Sequence, residues 1–576
     1  MSTTENSLSP MQRFIRLLKP DYDEIRNVYV YAVFAGLVSL SLPLGIQAIV
    51  NLIQGGQVST AWIVLVIFVV LGVAVAGILQ IFQLRIVENL QQRIFTRAAF
   101  EFAYRIPRIR MESLYRHYAP ELMNRFFDTI SVQKGLSKIL IDFSQATLQV
   151  VFGLILLSFY HPFFIAFSVI LVVLILVIFR FTAKRGLETS LKESKYKYEV
   201  VHWLEEMART YSSFKLAGQT DLPLVRTNGL AENYLEARES HFQVLLRQYS
   251  LMVIFKVIVA TGLLVVGSIL VMEQLMNIGQ FVAAEIIILT IINSVEKLNR
   301  SIETVYDVLT AFEKIGMVTD LSLDQHKGID LEEKCKDSGL EVEFNDVIFR
   351  YPDYPKNTLN EMSLVIPAKE RLLITGVNGS GKSTFLQILA GLYDIQSGHI
   401  SYNGFTKGNI DISSLRTVIG AYLTKEHLFQ GTVFENIAMG RKDATFENVQ
   451  WAVNNLGLSD FIRQSPEGYD TMLDPQGRKL PRSIIQKLLL ARTIVVKPKM
   501  LILEDPFEHL FDEEKERLVD FLVREENNWS IVTVSSDYYL ASCCDRIAIM
   551  DDGRISEIGT FDEMKDKAPL NTQNHA

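Results

Sequence analysis

Six apolar segments of membrane-spanning length occupy the first 300 residues and alternate with polar ones; they lie near 28–53, 61–83, 138–160, 162–180, 246–273 and 278–296. Each approaches or exceeds the roughly 20 residues that a helix needs to cross the hydrocarbon core of a bilayer. The third and fourth are separated only by His161-Pro162, which predicts a tight turn between them. No comparable segment follows residue 300. The pattern predicts six helices that span a lipid bilayer.

Positive charge distinguishes the two sides of that bilayer. Lysine and arginine are absent from the short linkers after spans 1, 3 and 5, which lie at 54–60, around 161 and at 274–277. They are frequent in the segments 1–26, 84–137 and 181–245. Because positive charge concentrates on the cytoplasmic side, both termini and the long charged segments are predicted to be cytoplasmic. The expected location is the cell (inner) membrane, with multiple passes.

Both ends of the chain lie outside the spans. Residues 1–26 lack the apolar core of a cleaved signal peptide, and we expect them to form an N-terminal cytoplasmic amphipathic segment. Beyond the spans, strand-like runs alternate with helical ones; among these runs are Arg371–Thr375, Met500–Leu503 and Ser530–Val534. This alternation predicts an α/β domain with a mainly parallel sheet. The predicted organisation is a six-helix α transmembrane domain, a linker, an α/β domain and a tail, at 27–321, 322–338, 339–570 and 571–576.

Composition agrees with a chain that is partly in a membrane. Apolar residues make up 49% and charged residues 21%, which is too apolar for an ordinary soluble enzyme and too charged for a purely membrane-buried protein. An isoelectric point near 5.7 argues against a basic nucleic-acid-binding surface, so no nucleic acid partner is expected. Cysteines occur only at Cys335, Cys543 and Cys544, without the spacing of a disulfide framework or a metal site.

A phosphate-binding loop is the strongest chemical signal. The run from Gly376 to Thr384 fits G-x-x-x-x-G-K-[ST], with a strand before it and an apolar helix after it. Its glycines let backbone N–H groups close around phosphate oxygens, and the helix start adds the positive end of its dipole. Lys382 should reach the β- and γ-phosphates of ATP, and Ser383 should hold Mg²⁺. The predicted nucleotide contacts in the loop are Gly376, Asn378, Gly379, Ser380, Gly381, Lys382, Ser383 and Thr384.

Six spans followed by this loop resemble an exporter-type ABC half-transporter, whose transmembrane domain is fused to an α/β P-loop nucleotide-binding domain. Phe349-Arg-Tyr351-Pro resembles the aromatic loop of that family, which implies that Tyr351 stacks on adenine. Leu428-Phe-Gln-Gly-Thr-Val-Phe-Glu-Asn-Ile437 resembles the exporter segment after the glutamine loop. Gly553-Arg-Ile-Ser-Glu-Ile-Gly559-Thr resembles the closing segment of the nucleotide-binding domain. The resemblance covers nearly the whole chain and implies a dimer that uses ATP for export.

The signature motif departs from the family pattern. Usually Leu-Ser-Gly-Gly-Gln, it falls here on Leu480-Pro481-Arg482-Ser483-Ile484. In the family this motif contacts the γ-phosphate of the ATP held by the partner subunit. Pro481 has neither a hydroxyl nor an N–H to offer that phosphate, and Arg482 replaces the glycine that allows close approach. The signature is therefore expected to close poorly on ATP.

The residues that the resemblance assigns to hydrolysis also differ. The Walker B pair, usually Asp-Glu, is Glu504-Asp505. Glu504 could still hold Mg²⁺ through its water, whereas Asp505 occupies the general-base position one methylene short. The switch histidine falls on Ser536, and the Mg²⁺-sensing glutamine falls on Thr424. ATP binding is therefore expected to be intact and hydrolysis weak.

Two details keep hydrolysis open. Asp505 could act slowly as a base through a shifted water, and Arg482 could supply charge to the γ-phosphate. We expect an ATP-binding exporter subunit, either a homodimer or a heterodimer with another half-transporter, whose closure on ATP moves the spans. The alternatives are a hydrolysis-deficient regulatory or structural subunit, and a degenerate member of a hetero-oligomer whose partner hydrolyses ATP. The residues of the spans do not specify the transported substrate.

Charged residues within the spans raise a separate question. Lys256 in span 5 and Asp142 in span 3 both lie near the cytoplasmic end, so we expect them to reach the interface or to pair with each other. Glu285 in span 6 lies a few residues from the outer end. An intramembrane carboxylate is costly, and two interpretations stay open for it: a polar pathway lining or contact with headgroups.

Overall fold

The computed structural model of the chain describes residues 9–55, 60–115, 117–335 and 339–571. These residues form two compact units. The first contains the chain up to Pro107 and His117–Leu321, and the second contains Arg108–Arg116 and the chain from Ser322 onward. The outer linker predicted at 54–60, the linker at 322–338 and the tail at 571–576 lie partly outside the described residues.

The first unit consists of helices. Its described elements are α1 Pro10–Leu18, α2 Tyr22–Ser39, α3 Ser41–Gln54, α4 Thr60–Arg105, α6 Ala119–Asn124, α7 Asp128–Ser137, α8 Ser144–Ser158, α9 Pro162–Arg209, α10 Tyr211–Leu216, α11 Leu222–Met272 and α12 Ile278–Thr319; the intervening α5, Met111–Tyr115, belongs to the second unit. Six of its helical stretches are long and apolar enough to cross a membrane. The prediction of a six-helix transmembrane domain is confirmed.

Four of these helices extend well past a bilayer. Helices α4, α9, α11 and α12 contain 46, 48, 51 and 42 residues. At a rise of about 1.5 Å per residue, each is longer than the roughly 30 Å hydrocarbon core. Many large apolar side chains are exposed along them, including Phe68, Leu71, Ile170 and Leu264. Soluble proteins rarely expose so large an apolar area to water. This surface therefore indicates that lipid surrounds the helices.

Local sequence explains where two of the helices begin. At the turn between the third and fourth spans, His161 is the N-cap of α9, and its Nδ1 accepts a hydrogen bond from the Phe163 backbone N–H at 3.2 Å. Pro162 occupies the first helical position, where the missing N–H costs nothing. Asn277 and Gln280 form a reciprocal capping box at the start of α12. The tight turn predicted at His161-Pro162 is therefore present.

Two of the predicted spans are not continuous α-helices. The span predicted at 28–53 breaks at Leu40 between α2 and α3. Pro43 accounts for this break, because its ring would clash with the carbonyl group four residues earlier in an unbroken helix. The span predicted from residue 138 begins with a π-helical segment, Lys138–Phe143, before α8.

The charged residues of the spans pair with α12. Lys256 forms an ion pair with Glu296, and the Lys297 Nζ lies 2.9 Å from the Asp142 Oδ1. The expectation that Lys256 and Asp142 pair with each other is therefore wrong. Each side chain instead pairs with an oppositely charged residue of α12. The position of a residue within its own span does not reveal such a partner on another helix. Glu285 is partly buried.

The second unit is built on a six-stranded sheet. The described strands of the whole unit are β1 Val342–Phe349, β2 Leu359–Ile366, β3 Arg371–Thr375, β4 Ser397–Tyr402, β5 Phe405–Thr406, β6 Ile419–Tyr422, β7 Gly431–Thr432, β8 Met472–Leu473, β9 Met500–Glu504, β10 Ser530–Val534, β11 Arg546–Asp551 and β12 Arg554–Gly559. The main sheet has the order β12-β11-β3-β10-β9-β6. All its pairings are parallel except that of β11 with β12. The prediction of a mainly parallel α/β domain is confirmed.

Helices and a smaller sheet complete this unit. The helices are α13 Leu331–Lys334, α14 Lys382–Leu389, α15 Ile412–Val418, α16 Val433–Ala438, α17 Phe446–Asn455, α18 Ser459–Gln464, α19 Arg482–Ile494, α20 Asp512–Leu522, α21 Tyr538–Ser542 and α22 Phe561–Met564. An antiparallel sheet has the order β2-β1-β4-β5, and β7 pairs with β8. Two apolar clusters lie among the described residues of this unit: one contains side chains of both sheets around Phe344 and Phe385, and the other lies around α19 and the helices that pack on it.

Two segments outside the predicted α/β domain also belong to this unit. Leu331 and Cys335, within the predicted linker, are fully buried, and the Ile329 N–H donates to the Asn409 carbonyl oxygen at 2.8 Å. Residues 108–115 lie here as well: the Arg110 N–H donates to the Ser322 carbonyl oxygen, and Ile109 pairs with Leu323. The prediction had included 108–116 in the transmembrane domain.

Candidate nucleotide site

The phosphate loop lies at the carboxyl end of β3 and runs directly into α14. Gly381 is the N-cap of α14, and Lys382 is its first residue. The Lys382 Nζ donates hydrogen bonds to the carbonyl oxygens of Gly376 at 2.7 Å and Val377 at 2.8 Å. The ammonium group is therefore folded across the loop, where bound phosphate oxygens would compete for it. This is the geometry of a polyphosphate cradle at a helix N-terminus.

Glycine is required at two positions of this loop. Gly376 and Gly381 have φ angles of +145° and +103°. A Cβ atom at Gly376 would lie 2.1 Å from the Met550 carbonyl oxygen, and one at Gly381 would lie 2.7 Å from the Thr358 carbonyl oxygen. Any side chain would push the loop away from its neighbours, so the backbone donors depend on these glycines. The residues present therefore fit a nucleotide polyphosphate.

The remaining loop residues divide between exposed and buried positions. Asn378, Gly379 and Ser383 are exposed at the loop surface, whereas Ser380 and Thr384 are buried. Burial lowers the pKa of Lys382, and the nearby Asp505 carboxylate acts in the opposite direction. An ammonium group with little water around it gains most from a charged acceptor. The electrostatics of the loop thus favour an anion.

Tyr351 lies beside the phosphate loop, held at its hydroxyl end. Its Oη donates to Gln387 Oε1 at 3.0 Å and lies 3.0 Å from Thr384 Oγ1. The rings of Phe349 and Tyr393 contact it edge to face. The ring of Tyr115, from α5, stacks on Tyr351 with centroids 5.1 Å apart and planes 19° from parallel. A residue predicted to stack on adenine thus stacks on another tyrosine.

Glu504 and Thr424 contact each other directly. Glu504 is the last residue of β9 and is buried. Thr424 lies just after β6, the strand that pairs with β9. The Thr424 N–H and hydroxyl both donate to Glu504 Oε2, each at 2.9 Å. A carboxylate and a hydroxyl at this edge, with Ser383 on α14, are oxygen ligands of the kind that Mg²⁺ prefers. Thr424, predicted for the glutamine-loop position, is therefore a hydrogen-bond partner of Glu504.

Asp505 and Ser536 line one cavity of about 270 Å³, together with Glu508, Asp512 and Asn571. Asp505 has a φ angle of +43°, a conformation that Asp and Asn tolerate better than most residues. Asp505 lines this cavity and is exposed. Desolvation, followed by the charges of Glu504 and Glu508, raises the pKa of Asp505. A raised pKa makes Asp505 a better proton acceptor than an ordinary aspartate.

Ser536 is tied to the C-terminal end of the described chain. The Asn571 N–H donates to the Ser536 carbonyl oxygen at 2.7 Å, and the Asn571 amide donates to Ser536 Oγ at 2.9 Å. Ser536, predicted for the switch-histidine position, thus has a short side chain whose oxygen accepts a hydrogen bond from Asn571.

The signature residues lie on a different helix from the phosphate loop. Pro481 is the N-cap of α19, and Arg482 is its first residue, exposed to solvent; Ser483 follows, half-buried. Pro481 accepts at its carbonyl oxygen from the Ile484 N–H at 3.0 Å but has no donor of its own. Among the described residues, no hydrogen bond joins these residues to the phosphate loop. Within one chain the predicted signature and loop residues are not brought together.

Sequence reasoning missed the contacts that depend on distant segments. Tyr115, Gln387 and Asn571 each contact a predicted site residue. Gln387 lies three residues after Thr384 on α14, so the helix period could have placed both on one face. Tyr115 and Asn571 come from opposite ends of the unit, and no local pattern in the sequence points to them.

Comparison with known proteins agrees with this geometry. The family model described as "ABC transporter transmembrane region" matches residues 26–295, and the model described as "ABC transporter" matches residues 359–508. The class is therefore that of an ATP-binding membrane transporter subunit. The chain belongs to the ABC transporter family as an exporter-type half-transporter, with one transmembrane domain followed by one nucleotide-binding domain.

Relatives match to different extents. A putative multidrug export ATP-binding/permease protein, YgaD of Bacillus subtilis, is 32% identical over 39% of each chain. The transport/processing ATP-binding protein ComA of Streptococcus pneumoniae is 23% identical over 95% of this chain and 76% of its own length. The match thus spans about two fifths of the first relative and three quarters of the second. A bacterial Atm1-family ABC exporter with ATP bound has the same fold, with a TM-score of 0.83 at 18% identity, covering 95% of this chain and 96% of its own.

Proposed function

We propose that this chain is half of a dimeric ABC exporter that binds Mg²⁺-ATP and couples this binding to movement of a substrate across the membrane. The observation that carries the proposal is Lys382, folded across a loop that only glycine can form, in a chain with six spanning helices. The relatives named for multidrug export and for transport and processing support the class of activity. Their names differ in substrate, so no substrate is carried over.

The nucleotide would lie between the phosphate loop and Tyr351. Backbone N–H groups from Gly376 to Thr384 and the Lys382 ammonium bind the phosphates, while Ser383 and Glu504 supply oxygen ligands for Mg²⁺. When bound, the metal neutralises charge on the β- and γ-phosphates. Thr424 holds the Glu504 carboxylate in place through two donated hydrogen bonds. This half of the site needs nothing from another subunit.

Hydrolysis would be weak in this chain. Asp505 takes the position of the base, Ser536 is engaged by Asn571, and Pro481 offers no donor to a partner's nucleotide. In a homodimer both composite sites carry all of these changes. With an intact partner, one site pairs this chain's Asp505 and Ser536 with a good signature, and the other pairs a good base with Pro481 and Arg482.

A second function is favoured by the same contacts. The Asn571–Ser536 pair and the prolyl N-cap of α19 suit a subunit that binds ATP and changes shape without turnover. Such a subunit would regulate or complete an assembly whose other half hydrolyses ATP. The two functions differ in one measurable quantity, the ATP turnover of the purified chain alone and with any co-purifying half-transporter.

The proposed location is the inner membrane, with both termini and the nucleotide-binding domain in the cytoplasm. Single cysteines at position 57, in an outer linker outside the described residues, and at position 220, between α10 and α11, test this topology. A membrane-impermeant thiol reagent added to intact cells should label position 57, and position 220 should react only after permeabilisation. The native cysteines are replaced first. The opposite labelling pattern would refute the six-span orientation.

A further inference from the structure

Tyr115 and Tyr351 form a stacked aromatic pair at the base end of the nucleotide site. Their ring centroids lie 5.1 Å apart with planes inclined by 19°. A purine base that stacks on a tyrosine needs the same face of the ring at van der Waals distance. The gap between the two tyrosines has no room for a third ring. On this face, adenine and Tyr115 are therefore mutually exclusive.

The Tyr351 ring is poorly placed to turn a different face outward. Its hydroxyl is bound to Thr384 and Gln387 on α14. Edge-to-face contacts join the ring to Phe349 and Tyr393. Rotation of the ring would break these contacts, whereas Tyr115 is nearly half exposed at the surface. The partner that can leave is thus Tyr115.

The segment that carries Tyr115 is anchored to the same unit by polar contacts. The Glu112 carboxylate accepts a hydrogen bond from the Asp394 N–H at 2.6 Å, and the Arg110 Nε donates to the Leu323 carbonyl oxygen at 3.1 Å. Asp324 donates its N–H to the Arg108 carbonyl oxygen at 2.7 Å. These bonds hold the Tyr115 segment beside Tyr351 and give the Tyr115 ring a high local concentration there.

We propose that Tyr115 occupies the adenine-stacking face of Tyr351 and must be displaced when a nucleotide base binds. The inference rests on the proposed ATP site and adds a determinant of its base affinity. An aromatic pair contributes about 0.5–1.5 kcal/mol beyond area burial, so ATP affinity is lower than it would be at a free Tyr351. Base binding also releases α5 from its aromatic contact, which links nucleotide occupancy to the segment 108–116.

The test is the affinity of three variants of the full chain for two ligands, measured by titration calorimetry in nanodiscs. Tyr115→Ala should bind ATP about two- to tenfold more tightly than the unmodified chain. Tyr115→Phe, which retains the ring, and Ser113→Ala, a neighbouring change on α5, should bind ATP like the unmodified chain. Inorganic tripolyphosphate, which has no base, should bind all four proteins equally.

Four outcomes would overturn the inference. Equal ATP affinity in Tyr115→Ala would mean that Tyr115 does not cover the base face, and weaker affinity would mean that Tyr115 itself holds the base. A gain for tripolyphosphate equal to that for ATP would mean that the change opens the site generally. Failure of the unmodified chain to bind either ligand would refute the proposed ATP site as well, which distinguishes the two failures. Tyr115→Leu, which keeps a bulky side chain without a ring, should also tighten ATP binding and guards against misfolding of the alanine variant.

Discussion

The phosphate loop and the γ-phosphate end of the same site differ in how much of their chemistry is complete. In the loop, Gly376 and Gly381 adopt conformations that side chains would block, and Lys382 already crosses the cradle. At the proposed γ-phosphate end, Asp505 and Ser536 line a shared cavity; Asp505 would be a short base, and Ser536 is bound to Asn571. We therefore predict that binding and hydrolysis depend on separable groups of residues.

The two regions also differ in what each chain supplies. Loop residues lie on consecutive elements, β3 and α14, and close a complete phosphate cradle within one chain. The signature at the start of α19 serves the partner's nucleotide by resemblance, and here it presents Pro481 and Arg482. A change at one chain's signature is therefore expected to affect the composite site that holds the partner's nucleotide. Changes in the loop affect only the nucleotide of the chain that carries them.

The largest effect is expected at the loop. Lys382→Ala should weaken ATP binding by about tenfold to a hundredfold, because it removes a partly desolvated cation from the phosphates and hydrogen bonds to charged groups contribute about 1.5–3 kcal/mol. Titration calorimetry on the full chain measures this. Lys567→Ala, which alters an exposed lysine paired with Glu557, is the matched control. Equal affinity in the unmodified chain and Lys382→Ala would place the nucleotide elsewhere.

The second effect concerns restoration of turnover. Asp505→Glu with Ser536→His should recover little ATP hydrolysis in a homodimer, because the signature still fails to close on the γ-phosphate. Groups that act together on a transition state are not additive. The full set therefore should raise kcat by more than the product of its two parts; the signature part comprises Pro481→Ser, Arg482→Gly, Ser483→Gly and Ile484→Gln. If the two sets simply multiply, Asp505 or Arg482 already works as a substitute.

A smaller effect is expected for the Walker B partner. Thr424→Val keeps the shape of the side chain but removes the hydroxyl that donates to the buried Glu504 carboxylate. The loss should destabilise the protein by about 1–3 kcal/mol, the cost of leaving such an acceptor without one donor. Thermal unfolding of the full chain measures this loss of stability, and Thr424→Ser, which retains the hydroxyl, is the control. An unchanged transition in Thr424→Val would show that the N–H bond alone suffices.

The smallest effect is the pH dependence of Asp505. Its pKa is raised in the fold, so the folded state binds this proton more readily than the unfolded chain, and the ionised carboxylate destabilises the fold at neutral pH. Asp505→Asn should unfold at a slightly higher temperature than the unmodified chain at pH 7–8. The gap should shrink as pH falls through the raised pKa toward the ordinary value of 3.8. A gap that widens in acid would contradict this sign.

Local patterns predicted much of both regions, and the exceptions have identifiable causes. Apolar runs and charge bias gave the six spanning helices, and the spacing of glycines with Lys382 gave the start of α14, because each depends on neighbouring residues only. The presence of Pro43 indicates the break at Leu40, but a count of apolar residues does not take this proline into account. The pairing of Lys256 with Glu296 depends instead on how helices pack.

The catalytic region was harder to predict because its contacts cross the unit. Thr424 meets Glu504 through parallel pairing of β6 with β9, and Asn571 reaches Ser536 from the end of the chain. The stack of Tyr115 on Tyr351 joins α5 to the loop after β1. Motif spacing identifies which residues replace the usual ones, whereas the fold decides which neighbours those residues acquire.

The central claim is that this chain binds ATP with an intact loop and hydrolyses it poorly. The most direct test is one sample of the purified full chain in nanodiscs, measured for Mg²⁺-ATP affinity and for steady-state ATP turnover. We predict saturable binding that Lys382→Ala abolishes or strongly weakens, with turnover well below about 1 s⁻¹, the lower end of ordinary enzymes. Turnover at or above that rate without any restoring substitution, or the absence of Lys382-dependent binding, would contradict the account.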